Sequence, residues 1–189
     1  DKHVFEYWQR FNNVSVGASL DAMGARAEYM RKGTVWEETV ANREKMLVEC
    51  PKTDFYVGST VSIYNALHVM DFHRDWVERG LIKAQDWNIN ILQGPDRDRI
   101  DVLPKIYKEQ VKEKILEHIE WLRPQDHLNR AVVGYESILT FMESQEQQTL
   151  LKEFLEVNDR HDDYRKEQFE TVFPEYKEFT THVPASDGA

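Results

Sequence analysis

Cysteine is almost absent, with Cys50 alone in 189 residues. A lone thiol excludes an internal disulfide and any metal site made only of cysteine, and it predicts a reducing, cytoplasmic location. Long apolar runs are missing too. None approaches the roughly 18 residues of a membrane span, so no membrane partner is expected. Positive charge is in deficit, 24 Lys and Arg against 34 Asp and Glu, for a net −10. A field of that sign repels phosphate backbones and anionic lipid, so no nucleic-acid partner is expected. The opening residues Asp1-Lys2-His3-Val4-Phe5 read neither as a signal peptide nor as an initiator Met. Glycine is sparse, and Gly17 and Gly24 are too isolated for a phosphate-cradling loop. No Gly-x-Ser-x-Gly elbow, Glu-x-x-His pair or His-Glu-x-x-His motif occurs. Repeats and low-complexity segments are absent as well.

What is present is a folded composition, 31% charged and 41% hydrophobic. Strands are predicted at Val14–Leu20, Asp54–Ser62 and Asp86–Gln93. A helix from Thr34 to Glu49 carries Trp36, Val40 and Leu47 at helical spacing, with Pro51 beyond its end. Another, Ala66 to Arg79, carries Val69, Phe72 and Trp76, with Gly80 as its stop. Strand and helix alternating at these lengths predict parallel βαβαβ with right-handed crossovers. Beyond the turn Gln93-Gly94-Pro95-Asp96 only helical periods remain: Pro104 to Arg123, Asp126 to Met142, Glu146 to Val157 and Asp159 to Val172. The chain is therefore divided into residues 1–94 and an all-helical region, 95–189, and the tail Ser186–Ala189 is expected to fray.

The strands alternate where buried parallel strands usually run continuously apolar. Val14, Val16, Ala18 and Leu20 oppose Ser15, Gly17, Ser19 and Asp21. Phe55, Val57 and Val61 oppose Tyr56, Gly58, Thr60 and Ser62. Trp87, Ile89 and Ile91 oppose Asn88, Asn90 and Leu92. Each strand thus has one apolar face for helices and one small, polar face. The polar faces predict the lining of a ligand cavity; the alternative is an open sheet with a solvated face. A closed eight-stranded barrel takes ~250 residues, more than this chain supplies. The apolar stripe Val4, Phe5, Trp8, Phe11 looks like the tail of a preceding unit, and the first strand, if unpaired, would be an apolar edge. These features predict the C-terminal part of a partial barrel.

Ordered motifs carry a family likeness. Ser15-Val16-Gly17-Ala18-Ser19-Leu20-Asp21-Ala22-Met23-Gly24, Tyr29-Met30-Arg31-Lys32-Gly33 and Val40-Ala41-Asn42 resemble the middle of radical S-adenosylmethionine (SAM) enzymes. In that family a strand ends in Ser-x-Asp, an Arg-x-Gly follows about a dozen residues later, and an Asn lies in the next helix; here Ser19 and Arg31 are 12 apart. Ser59-Thr60-Val61-Ser62-Ile63-Tyr64-Asn65 fits the family's strand running into Asn. The run Asp163 to Glu175 resembles the ending of twitch-domain-containing members.

The resemblance implies an α/β fold, the C-terminal part of a partial (βα)6 TIM-like barrel followed by helices. It implies an enzyme that reductively cleaves SAM to a 5′-deoxyadenosyl radical for hydrogen abstraction from an unknown substrate. Its cofactors would be SAM and a 4Fe-4S cluster, and its partners the substrate and an electron donor. SAM-binding positions carried over are Ser19, Asp21, Arg31, Asn90 and Leu92. The Ser19 hydroxyl and Arg31 fork suit the methionyl carboxylate, Gly17 leaves room for the cofactor, and Asn90 to Leu92 border the adenine. No catalytic residue follows. The family's Cys-x3-Cys-x2-Cys is not in this chain, so the cluster ligands would come from upstream sequence, and the chain alone is expected to be inactive.

Plainer readings stand beside these. Asp21 suits a helix cap as well as a ligand contact, and Arg31 suits a surface position beside the turn at Gly33. Asn65 is favoured as a helix cap over a ligand contact, Asn42 suits a structural bond, and Cys50 an ordinary semi-buried thiol. Trp8, Trp36, Trp76 and Trp121 read as core, and His161-Asp162-Asp163 as a solvated face. Asp71 with His73, and His118 with Glu117 and Glu120, match no metal spacing. Tyr56, Asn88 and Asn90 are expected to face the cavity without catalytic assignments. The alternative functions are a non-catalytic interaction module on a degenerate barrel half and an unrelated barrel-like enzyme with a phosphorylated ligand.

Overall fold

The structure, a computed structural model, describes residues 3–183; the tail expected to fray lies outside them. Strands β1 (Ser15–Ser19), β2 (Asp54–Val61) and β3 (Trp87–Ile91) form one open parallel sheet in the order β1-β2-β3. Helix α1 (Val4–Trp8) precedes β1. Helices α2 (Ala25–Met30) and α3 (Trp36–Glu49) lie between β1 and β2, and α4 (Val69–Glu78) between β2 and β3. Four helices follow: α5 (Lys105–Leu122), α6 (Arg130–Ser144), α7 (Leu151–Arg165) and the single turn α8 (Phe169–Val172).

The alternation in the sequence sets the sheet's two sides. Phe55, Val57, Val61 and Trp87 are buried, and the helices lie over them. From α4, the Phe72 ring meets Trp87 at 4.9 Å and Trp76 stacks on Phe55 at 6.5 Å; from α3, Trp36 reaches Phe72 at 5.5 Å. Helix α6 closes on the same side, because Gly134 lets its backbone reach β3. A Cβ there would stand 3.0 Å from the Ile89 Cβ, which is fixed to the strand and cannot swing aside. Gly134→Val is therefore expected to cost about 1–3 kcal/mol in urea denaturation. An equally stable variant would contradict this close approach.

The other side of the sheet is open. Ser15, Gly17, Ser19, Asp54, Tyr56, Asn88 and Asn90 are exposed, and Gly58 and Thr60 partly so. The solvated-face alternative thus describes these residues. One hydrophobic core, on the helix side only, runs from Phe5 through α4, α5 and α6 to Phe179.

Helix ends follow local chemistry. Pro104, its φ fixed near the helical value, immediately precedes α5, whose inward stripe is Tyr107, Val111, Ile115, Ile119 and Leu122. Gly80, at φ +69°, ends α4 as expected. Three expectations fail. Helix α4 begins at Val69, not Ala66, after a turn that runs to its N-cap His68. Helix α6 begins at Arg130, not Asp126, because the Asp126 carboxylate caps it from outside, accepting the amides of Arg130 and Val132 at 3.2 and 3.0 Å. The two short helices predicted from Glu146 to Val172 are one long helix, α7, and the turn α8. The break falls at Lys166, φ +58°, and Asp162 accepts the Phe169 amide across it.

Candidate functional site

The C-terminal ends of the strands are tied by side chains from the loops that follow them. Asp21, just past β1, accepts the Thr60 amide of β2 on Oδ1 at 2.8 Å and the Arg31 Nε on Oδ2 at 2.7 Å. Fully buried Asn65 donates to the carbonyls of Asp21 and Thr60 at 2.7 and 3.0 Å and accepts the Ser62 amide at 2.8 Å. Neither residue caps a helix with its side chain. Gly24 is the N-cap of α2 and His68 that of α4. Asp21 is a staple between strands, and Asn65 a bolt through both loops.

The residues carried over from the family likeness divide accordingly. Asp21 and Arg31 meet directly, with the Arg31 side chain still 45% exposed. Ser19 and Asn90 share the open face without being register partners: Ser19 pairs with Gly58, Gly58 with Asn88, and Thr60 with Asn90. Leu92 lies past β3, partly buried, and its amide donates to Val61 at 3.0 Å. The room expected at Gly17 is taken. A Cβ there would fall 2.6 Å from the Tyr56 Cζ and Oη, so the ring lies across the glycine.

An aromatic strap from Phe169 to Phe179 spans the loops after the strands. Tyr176 Oη donates to the Ile63 carbonyl at 2.7 Å, and Tyr107 Oη to that of Glu175 at 3.1 Å. Glu175 also pairs with Arg26 at 3.2 Å and with His68. Burial opposes the charged imidazole of His68, but its bonds to Asp71 and Glu175 prevail and raise its pKa. Bonds from His68 and Lys114 overcome burial at Asp71 and hold it at about 2. Beneath the strap, the hydroxyls of Tyr29 and Tyr64 reach Asn158 Oδ1 at 3.3 and 2.9 Å, and Tyr29 also reaches Asp162 at 3.0 Å. Burial, reinforced at Tyr29 by Asp162, raises both phenol pKa values. Asp162 is thus spent on Tyr29 and the Phe169 amide, rather than standing on a solvated face.

A second polar centre, which metal-spacing rules pass over, lies under the sheet. His73 Nε2 faces the Ala84 carbonyl at 3.1 Å and so carries the proton; its Nδ1 then accepts from His118 Nε2 at 3.2 Å. The ring of His73 stacks on Trp87 at 4.5 Å, and Tyr135 Oη lies 3.3 Å from its Nδ1. Both histidines are buried, and His118 Nδ1 has no partner among the described residues. Burial, with His118 as neighbour, holds His73 well below its usual pKa; burial, then Arg74, lowers His118 to about 3. The signal was positional: both sit in the apolar stripes of their helices, where a histidine must pair with something.

The thiol chemistry of an iron–sulfur cluster does not fit this chain. Cys50 is buried at the end of α3 with its sulfur 3.8 Å from the Phe5 carbonyl, and no group of three metal-ligating side chains occurs among the described residues. The donors toward SAM do fit in kind: an exposed hydroxyl at Ser19, an exposed amide at Asn90, and a partly exposed guanidinium whose terminal nitrogens have no partner among the described residues. No helix among the described residues is long and apolar enough to cross a membrane. No family model, curated protein or solved structure matches the chain.

Proposed function

We propose that this chain is the C-terminal arc of a partial TIM-like barrel in a radical SAM enzyme of the twitch-domain type, and that it supplies part of the SAM site. The observation that carries the reading is the one-sided sheet. Its strands run in sequential order, the helices that reach them lie on one side, and the other side is polar and open. Consecutive right-handed crossovers on one face wind a barrel wall, whereas a doubly wound sheet reverses its order and is covered on both faces. Strands beyond the unpaired edge of β1 would complete the curve.

Ligands of such folds bind at the C-terminal ends of the strands. There Ser19 would donate to the methionyl carboxylate, and the exposed nitrogens of Arg31, oriented by Asp21, would pair with it. Asn90, with Leu92 beside it, would border the adenine. In this class SAM, bound beside a reduced 4Fe-4S cluster, is the source of a carbon radical that takes hydrogen from the substrate. The cluster, fed by an electron donor, would be held by cysteines outside this chain, and no reaction step is assigned to the residues described. The enzyme so assembled would act in the cytoplasm.

Isothermal titration of SAM into the intact protein tests the reading. Arg31→Ala is expected to weaken binding by about 1–3 kcal/mol, the range of a lost charge-assisted hydrogen bond. Undiminished affinity would remove Arg31 from the site, and a wild-type protein that does not bind SAM would remove the proposal. In that event the alternative is a non-catalytic module on a degenerate barrel half that docks a partner through its acidic helical region.

A further inference from the structure

The N-terminal ends of β2 and β3, at the other end of the sheet from Arg31, border a cavity of about 560 Å³. Arg43 of α3 lines it, and the residue is nine-tenths buried. Its guanidinium lies over the Phe55 ring at 4.0 Å, and its Nε donates to the Leu81 carbonyl at 2.8 Å. Nη1 touches only the Met46 sulfur, at 3.3 Å, and Nη2 has no partner among the described residues. Burial lowers the pKa of this group, and the charge of nearby Asp86 does not make up the loss. A guanidinium keeps its proton all the same. A permanent charge is thus buried without a bonded counterion, which is costly unless something supplies one.

The acids of the cavity hold other groups. Asp54 accepts the Ser15 hydroxyl at 3.1 Å, and Asp86 the Lys83 amide at 3.2 Å. Arg43 and the exposed rim residues Lys52 and Lys83 outnumber them, a local positive excess in a chain of net −10. We infer that this cavity binds a small organic anion, with Arg43 gripping its carboxylate or phosphate head and Lys52 and Lys83 closing on it from the rim. Phe55 beneath the guanidinium and the Leu81 carbonyl at its Nε fix the fork, which leaves its outer N–H groups for an oxyanion. Leu47, Pro51 and Ile82 give the cavity an apolar wall, which suits a ligand with a carbon body rather than a bare ion. The site stands or falls apart from the SAM reading, whose residues lie at the opposite strand ends.

Calorimetric titration of the intact protein with benzoate, phenyl phosphate and inorganic phosphate tests it. One of the two organic probes is expected to saturate and to bind more tightly than inorganic phosphate, and the better of them identifies the head group. Arg43→Lys, which keeps the charge and removes the fork, is expected to weaken that probe about tenfold. Lys52→Gln and Lys83→Gln, both on the exposed rim, are each expected to weaken it about two- to fivefold. They decide the matter if Arg43→Lys does not fold. Asp86→Asn, which retains an acceptor for the Lys83 amide, is expected to tighten it. Binding of inorganic phosphate as strong as that of either organic probe would mean an adventitious ion only and overturn the proposal. No saturable binding, or binding that the rim variants leave unchanged, would overturn it as well.

Discussion

Lowering the pH from about 6.5 to about 4.5 is expected to remove about 2–3 kcal/mol of folding stability through buried His118, with buried His73 acting in the same direction. His73 and His118 are held neutral by burial, with pKa values depressed in the folded state, that of His118 to about 3. Above pH 6.5 neither the folded nor the unfolded chain protonates them, so they add no pH dependence. Below it the unfolded chain takes up two protons that the folded one refuses. For His118 stability then falls by about 1.4 kcal/mol per pH unit, and His73 adds a fall of the same sign. A loss of that kind is a substantial share of the roughly 5–15 kcal/mol that typical domains possess.

Neighbouring groups act elsewhere on the scale. His68 has a raised pKa, so its contribution is complete below its unfolded value and is lost only as pH rises through the folded one. Asp71, at about 2, adds an acid loss that begins only near its ordinary value of 3.8. His118→Phe tests the assignment. Its ring can keep the stacking on Trp121, where the imidazole sits at 5.1 Å, while the orphaned Nδ1 disappears. Urea titrations from about pH 7 to 4.5 should show a fall of stability shallower by about 1.4 kcal/mol per pH unit, the share of His118. An unaltered slope would show that the acid loss arises elsewhere.

Asn65→Leu is expected to destabilise the chain by about 3–5 kcal/mol in denaturant unfolding, because three hydrogen bonds go at once and the Ser62 amide and the Asp21 and Thr60 carbonyls lose their partner. Leucine has nearly the shape of asparagine, so the loss measures the polar bolt rather than a cavity. The register of β1 on β2 beyond Gly58 depends on this bolt and on the Asp21 staple, and the placing of the open-face side chains depends on that register. A cost below about 1 kcal/mol would mean that water or a rearranged loop replaces the side chain easily.

The sheet was legible because its information is local. Alternation in Ser15–Ser19, Asp54–Val61 and Trp87–Ile91 fixes both faces, and Gly80 marks a helix end by its own conformational freedom. The polar connections were not legible for the opposite reason. Asp21 and Asn65 have short side chains that suit a cap, and what they bond to, Thr60 and each other's loops, depends on the register of two strands separated by more than thirty residues. Tyr56 over Gly17 is likewise a cross-strand pairing, read from neither residue alone. The break at Lys166 lacks a glycine or proline to announce it, and the Asp162 carboxylate that stabilises the Phe169 amide beyond it looks in sequence like any exposed acid. His73 and His118, 45 residues apart, meet only because α4 and α5 pack together.

An amide-resolved NMR titration of the intact protein with S-adenosylhomocysteine, the stable thioether analogue of SAM that cannot be demethylated further, tests the proposed ligand-facing role of the bare side of the sheet most directly. Saturable shifts at Ser19, Gly58, Asn88 and Asn90, spreading to Arg31, are the predicted result. Shifts confined to the helices behind the sheet, or none at saturating ligand, would contradict it.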